Sequence, residues 1–388
     1  MSGLTVLLTN HTLADRGGSD LFVRDVATAI LARGHRPVVY SPILGTVADD
    51  LRLATVPVTD DLDSLTERPD IIHGQHHLET MTALLHFAGV PGIFYSHGWL
   101  PPQEAPPRFP RILQYLAVDD VCRDRLVCEH GLRPEQVQVR LNFVDTDRFV
   151  PRAPLPPRPV SAVLFCNDDG PHVAAVREAC ARTGLSLDVI GRAFGNAAAA
   201  PECVLGRYDL VFAKARSALE ALAVGAAVVL VAPFGVGPMV TAADFDRLRR
   251  LNFGIRALRQ PLAPASLVEE IGRYDAADAA AVSRLVRATA GRDGAVDALL
   301  ALYREVLERW RTAPSHADAA EESRSASRYL RTLTASMTSA ALERGALGDR
   351  ISSLEADVGD ARATIGNMQR SRFWQARKVW VAVRDWRP

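Results

Sequence analysis

Short apolar runs, each followed by a helical pattern, recur along this chain, stop at a proline-rich interruption, and then recur again. The first set is TVLLT (5–9), an amphipathic stretch from Ser19 to Arg33, PVVYS (37–41), DIIHG (70–74) and GIFYSHG (92–98). Continuous apolar runs bounded by glycine and proline suit strands buried on both faces, and intervening helices imply parallel crossovers. The interruption, PRAPLPPRP (151–159), carries five prolines in nine residues, which excludes helix and predicts a stiff linker or hinge. After it come SAVLFC (161–166), a helix from His172 to Thr183, LDVIG (187–191), YDLVFA (208–213) and AAVVLVA (226–232). The pattern predicts two doubly wound, Rossmann-like α/β domains facing across a cleft, residues 1–150 and 151–313, with ligand at the C-terminal ends of the strands.

Composition removes several function classes. Forty-five basic residues balance forty-five acidic ones, so no global field draws the chain to nucleic acid. Five cysteines without a C-x-x-C pair give neither a disulfide framework nor a structural zinc site. The first residues lack a secretory pattern and no run is long enough to span a bilayer, so a cytoplasmic location is expected.

Beyond residue 313 the texture changes. From Leu330 to Met368 apolar residues recur in three- and four-residue steps, broken by Arg344, with Ile351, Val358 and Ile365 at a-type and Leu347 and Leu354 at d-type positions. This predicts a coiled-coil helix over 314–370 and a homodimer, the β-branched a positions favouring two parallel strands; a helix folded back on the globular part is the alternative. The tail, 371–388, sets Phe373, Trp374, Trp380, Val383 and Trp386 among Arg370, Arg372, Arg377, Lys378, Arg384 and Arg387. Such an amphipathic helix suits peripheral contact with the inner face of a membrane, or a groove on a protein.

Candidate chemistry lies at predicted strand ends. Gly17 and Gly18 let a ligand approach the backbone, and Ser19 is a candidate cap for a helix whose free N–H groups face an anion; a tight turn is the bland alternative. His73, His76, His77 and His97 follow strand ends; no carboxylate or cysteine spacing completes a metal site, so the expectation is no metal and a polar role in the cleft, with His97 best placed to meet substrate or developing charge. DLD (61–63) and DFD (244–246) match a metal-binding triplet that is common by chance.

The stretch AKARSALEALAVG (213–225) holds one of only two lysines. Ser217 and Glu220 have capping-box spacing. That leaves unexplained why Lys214 and Arg216 crowd the positive end of a helix, an unfavourable place for cations without an anion. A diphosphate held by Lys214, Arg216 and the Ser217 hydroxyl removes the conflict, with Glu220 free to accept from ribose hydroxyls. The glycines of APFGVGPMVTA (232–242), Gly235 and Gly237, form a candidate second turn for the same ligand.

These motifs, with LNFVDTDRF (141–149) and ALEALAVGAAVVL (218–230), resemble over residues 1–310 the retaining glycosyltransferase family 4 of the GT-B fold. The resemblance implies a nucleotide-sugar donor held by the second domain, a glycan or lipid-linked acceptor held by the first, and no obligatory metal or cofactor. It puts Gly18 near the donor phosphates, and makes His97 (near the transferred sugar) and Glu220 (on the ribose) the candidate catalytic residues. Two positions depart from the family: Phe212 stands where a sugar-side glutamate is usual, and FCNDDGP (165–171) where an arginine and a lysine grip the diphosphate. Lys214 and Arg216 are candidate substitutes. A catalytically degenerate nucleotide-sugar-binding scaffold is the competing reading; an epimerase lacks a persuasive carboxylate pair.

Overall fold

The computed structural model describes residues 3–313 and 318–385, so Trp386 and Arg387 of the tail and residues 314–317 lie outside the described residues. The chain divides into two units, Met1–Asp318 and Ala319–Pro388.

The first unit contains two lobes. The N-terminal lobe has strands β1 (Thr5–Thr9), β2 (Arg36–Tyr40), β3 (Val58–Thr59), β4 (Ile71–Gly74), β5 (Gly92–Ser96), β6 (Ile112–Ala117) and β7 (Val137–Val139), with helices α1 (Gly18–Ala32), α2 (Thr46–Leu53), α3 (His77–His86) and α4 (Asp120–Asp124). Its sheet is parallel throughout, in the order β3-β2-β1-β4-β5-β6-β7. The second lobe has β8 (Ser161–Phe165), β9 (Ser186–Ile190), β10 (Leu210–Ala213), β11 (Ala227–Ala232) and β12 (Gly235–Met239). Its helices are α5 (Pro171–Thr183), α6 (Pro201–Val204), α7 (Ala215–Val224), α8 (Phe245–Arg250), α9 (Pro264–Ile271) and α10 (Ala276–Thr289), and α11 (Arg292–Thr312) ends the unit. The second sheet runs β12-β11-β10-β8-β9, with β12 alone antiparallel. Chain order reverses direction at β1/β4 in the first sheet and at β8/β10 in the second. Loops diverge from the strand ends at such points and leave a crevice.

Two segments cross the boundary expected at residue 150. Val144 and Phe149 pack into the second lobe's core, where Arg287 donates to the Phe149 and Thr146 carbonyls at 2.7 and 2.8 Å. In return α11 packs on α1, Arg33 pairs with Asp297 at 2.6 Å, and the buried Tyr303 hydroxyl meets His73 Nδ1. The proline-rich connector is docked rather than free: Arg152 donates its N–H to the Val224 carbonyl at 2.9 Å and its guanidinium to Asp209 at 3.0 Å, and Tyr274 bonds the Pro156 carbonyl at 2.9 Å. Proline fixes the extended shape, and these hydrogen bonds hold the connector against the second lobe.

In the second unit, α12 (Ala319–Arg370) is one continuous helix of 52 residues and α13 (Arg372–Asp385) follows it. Leu330, Met337, Leu347, Ile351, Leu354, Val358, Ile365 and Met368 are all exposed.

Tyr303→Phe removes the hydroxyl at the buried Nδ1 of His73. An orphaned buried polar atom costs about 1–3 kcal/mol, so the variant's denaturant midpoint should fall correspondingly with an unchanged slope.

Candidate functional site

The second sheet's crevice holds a cavity of about 200 Å³, lined by Phe165 at the end of β8 and Cys166, Asn167 and Asp168 after it, Lys214, Arg216 and Ser217 after β10, Val231 and Ala232 at the end of β11 and Pro233 after it, with His172 from α5. Whole-ligand sites run from about 300 Å³ upward, so this cavity by itself is smaller than a whole-ligand site. Lys214 reaches into it with one weak internal partner, Asp168 at 3.8 Å, and both side chains keep substantial exposure, 39% and 60%. Cys166 Sγ lies 3.4 Å from His172 Nε2, and burial pushes the thiol up to about 11, so it faces the cavity uncharged.

The expected capping box is absent. Lys214 is the N-cap of α7, without a side-chain cap bond, and the helix begins at Ala215. Ser217 therefore lies inside the first turn, and Glu220 is one turn beyond Arg216, not opposite a cap. Ala215 takes a φ of 49°, a left-handed conformation that favours glycine; its N–H is held by the Phe253 carbonyl at 2.9 Å.

Arg216 has an internal role that the sequence did not reveal. Its Nε donates to Glu220 Oε1 at 2.8 Å and its Nη2 to Asp25 Oδ2 on α1 of the other lobe. Asp25 also accepts from Arg24 at 2.7 Å and lies 3.6 Å from Arg148. Burial alone would raise Asp25, but Arg216, Arg24 and Arg148 hold it below the usual carboxylate range. Glu220 shows the opposite balance: burial raises it, and Arg216 only partly opposes that. In this structure Arg216 is thus paired with Asp25 and Glu220, and Glu220 with Arg216, while Arg216 still lines the cavity. Glu220 is 3% exposed and is not among the cavity's lining residues, because its carboxylate is turned to Arg216.

At the N-terminal lobe, α1 begins at Gly18 with Gly17 as N-cap and no side-chain cap bond, so Ser19 is not the cap; its hydroxyl reaches Asp20 at 3.4 Å. Gly18 is exposed, and a Cβ there would meet nothing within 4 Å, which leaves room for a ligand. Asp20 already stands at this helix end, raised to about 6 by burial against the hydrogen bond from Asn10 at 2.7 Å. His97 follows β5, stacked on Tyr95 with centroids 4.3 Å apart and tilted 4.5 Å from Phe22. Its N–H donates to Glu104 at 2.7 Å, burial lowers the ring to about 4, and its buried Nε2 has no partner among the described residues. Such an atom is normally satisfied by water or ligand.

Gly235 and Gly237 do not form a ligand turn. They lie in buried β12, where a Cβ would come within 2.9 Å of the Gln260 and Ala257 carbonyls respectively, so their smallness serves close backbone packing. Among the described residues no group of His, Cys, Asp or Glu is arranged to hold a metal ion. In the two triplets, Asp61 accepts from the Asp63 N–H at 2.9 Å and Asp244 pairs with Arg247 at 2.8 Å. The cavity's Asn167, Asp168 and His172, and the buried Asp25 and Glu104, escaped notice in the sequence because no local spacing marks them; the topology assembles them.

Residues 16–148 match the model for Glycosyltransferase Family 4. Similar solved structures include a glycosyltransferase from Rickettsia africae ESF-5, with TM-score 0.59 and 14% identity over 79% of this chain and 100% of that one. Anabaena Alr3699/HepE, in complex with UDP and glucose, gives 0.58 and 14% over 78% and 100%. The fold is GT-B. AviGT4, a glycosyltransferase of avilamycin A biosynthesis, is a further GT-B relative at 0.50 and 16% over 79% and 98%. No curated protein sequence matches the chain.

Because Asp25 and Arg216 join the two GT-B lobes while buried, Asp25→Ala should lower stability by about 1.5–3 kcal/mol through the lost charge-assisted hydrogen bond, with Glu220 left as the partner of Arg216. Asp25→Ala with Arg216→Met should recover much of that loss in a denaturation double-mutant cycle.

Proposed function

We propose that the protein transfers a hexosyl group from a nucleoside diphosphate sugar to a glycan or lipid-linked acceptor, in the cytoplasm or at the inner face of the cell membrane. The observation that carries this reading is the cavity at the β8/β10 switch point with Lys214 at its mouth: a cation weakly held by one exposed carboxylate, beside the start of α7. A helix start and an available lysine together favour a phosphate group. The GT-B fold and the UDP-glucose complex of Alr3699/HepE support the same ligand class. On this reading Lys214, Ser217 and the α7 backbone hold the diphosphate, Gly17, Gly18 and the α1 start flank it, and His97 Nε2 meets the sugar. No cofactor or metal is required.

A second reading, a nucleotide-sugar-binding scaffold without turnover, is favoured by two facts. Phe212 lies fully buried in β10, so no carboxylate occupies the family's sugar-side position, and Glu220 is engaged by Arg216. Retention of configuration, implied by the family resemblance, has no support from a carboxylate at Phe212.

The exposed seam of α12 supports pairing with a second copy. Heptad spacing sets Arg350 against Glu355, and Asp357 against Arg362, between parallel in-register strands, while three of the helix's four glycines, Gly345, Gly359 and Gly366, fall on the outer face. In α13, Arg377 and Arg384 lie 5.2 and 5.3 Å over the rings of Trp374 and Trp380, and Phe373 and Trp380 are exposed. Cationic and aromatic groups on one helix suit an anionic lipid surface. Among the described residues no helix is long and apolar enough to cross a membrane.

A thermal-shift screen of UDP-, GDP- and ADP-sugars tests the donor site: ligand at 100 times its Kd adds about 2.7 kcal/mol. Lys214→Ala should weaken that ligand at least tenfold, and transfer or donor hydrolysis separates enzyme from scaffold. Ile351→Asp should convert a dimer to monomer in sedimentation equilibrium without altering donor affinity.

A further inference from the structure

The donor cavity contains a pair of side chains that the proposed grip on the diphosphate leaves unused, Cys166 and His172. His172 is 1% exposed and follows Pro171 in the first turn of α5, whose N-cap, Gly170, makes no side-chain cap bond. Pro171 has no N–H to offer an anion, and the ring of His172 lines the cavity beside it. Its Nδ1 is buried and has no partner among the described residues. A Cβ on Gly170 would lie 3.3 Å from that nitrogen and 3.6 Å from Cγ of Pro233, another lining residue. Glycine at 170 thus leaves open a space that Nδ1 shares with the cavity wall.

What Nδ1 can do there depends on where the ring proton sits. A neutral imidazole has one donor and one acceptor nitrogen, and the partner of one fixes the role of the other. Nε2 lies 3.4 Å from Cys166 Sγ, and Sγ is also 3.4 Å from the Asp168 carbonyl. The thiol has one proton for these two acceptors. Turned to the carbonyl, it leaves Sγ to accept from Nε2–H, and Nδ1 is a bare lone pair. Turned to Nε2, it places the ring proton on Nδ1, which becomes a donor. Burial keeps the thiol uncharged and lowers the imidazole, with Lys214 adding to that effect against Asp168 and Asp169. An anion held beside Lys214 selects the second arrangement, because phosphate oxygens repel a lone pair and attract an N–H. A neutral imidazole is an effective donor to oxygen that carries negative charge.

We propose that His172 Nδ1–H donates a hydrogen bond to the diphosphate of the donor nucleotide, with Cys166 as the positioning residue that fixes its tautomer; this rests on the donor-binding part of the glycosyl-transfer reading. The family resemblance implies an arginine and a lysine after β8, where this chain reads FCNDDGP (165–171). Arg216 is engaged by Asp25 and Glu220. Lys214 then supplies the charge, and His172 a second, uncharged contact from the opposite side of the β8/β10 switch point. Rotation of the thiol and movement of the ring proton from Nε2 to Nδ1, exchanged through water, convert one arrangement to the other with no change in net charge.

Three measurements on the full chain test this, using whichever of UDP, GDP and ADP binds by calorimetry. Long-range ¹H–¹⁵N correlation spectra of that complex, with His172 assigned by His172→Asn, should show a neutral ring protonated on Nδ1. Cys166→Ser, which keeps a donor for Nε2, should leave the proton there, and Cys166→Ala should return part of it to Nε2. His172→Leu should weaken the nucleotide about tenfold or more without weakening the parent nucleoside, and His172→Asn, whose amide nitrogen reaches the place of Nδ1, should recover most of the affinity. A wild-type complex protonated on Nε2 or on both nitrogens, or a His172→Leu variant with wild-type affinity or an equal loss for the nucleoside, overturns the contact while leaving donor binding intact. A tautomer indifferent to Cys166→Ala overturns the role of Cys166. If none of the three nucleotides binds, the donor-binding reading itself falls and takes this contact with it.

Discussion

The arginine that joins Asp25 to Glu220 sets the terms for the rest of the molecule. Arg216 spans the lobes with its planar fork, giving one edge to each carboxylate, a geometry that a lysine's point charge cannot reproduce. The two acids differ in their surroundings. Asp25 meets three guanidinium groups and is held ionised, whereas Glu220 meets one and is raised by its burial. The interaction therefore works chiefly as an attachment of α7 to α1, with Glu220 the more weakly satisfied end. Since buried pairs contribute little net stability over apolar packing but cost much when broken on one side, its effect is on lobe geometry more than on overall stability.

Both sheets place their polar chemistry by one rule. At β1/β4 and at β8/β10 consecutive connections leave in opposite directions, so strand ends that would otherwise be covered face a crevice. The first crevice gathers His11, His76 and Glu104, and neither side-chain polar atom of the buried Gln75 amide nearby has a partner among the described residues. The second gathers Lys214, Asp168 and His172 around a cavity. Unsatisfied buried groups are expensive. Their presence in the first crevice, opposite a cavity with a loosely held cation in the second, is the pattern expected of a cleft organised for a polar ligand rather than for folding alone.

How far the sequence anticipated this differs by kind of signal. Strands such as β1, β8 and β11 were legible because burial on both faces leaves an unbroken apolar run, and α1 was legible from its period. Strand β7, with Gln138 in its centre, and β12, with its glycines, carry no such run. Cap assignments failed where backbone geometry outweighed side-chain type: the strand-to-helix turn after β10 uses the Phe253 carbonyl to fix Ala215, so the helix starts before Ser217 can cap it. The series of contacts from Glu104 through His76 to His11 was invisible for another reason. Its members come from three separated loops, and only the parallel register of β1, β4 and β5 sets those loops side by side.

The opening puzzle of two cations at the start of α7 resolves into two different answers. Arg216 needs no external anion, because Asp25 and Glu220 already neutralise it where solvent is scarce and ion pairing is strong. Lys214 has no such arrangement: its one carboxylate is 3.8 Å away and exposed, in surroundings where a pair contributes about 0–1 kcal/mol. A diphosphate entering the cavity therefore gains Lys214 at small cost, but gains Arg216 only by taking it from two buried carboxylates. The first exchange leaves the lobes joined; the second releases Glu220 and frees α7 from α1. On the proposed donor reading, the ordering of the two exchanges follows from how tightly each cation is held before the ligand arrives.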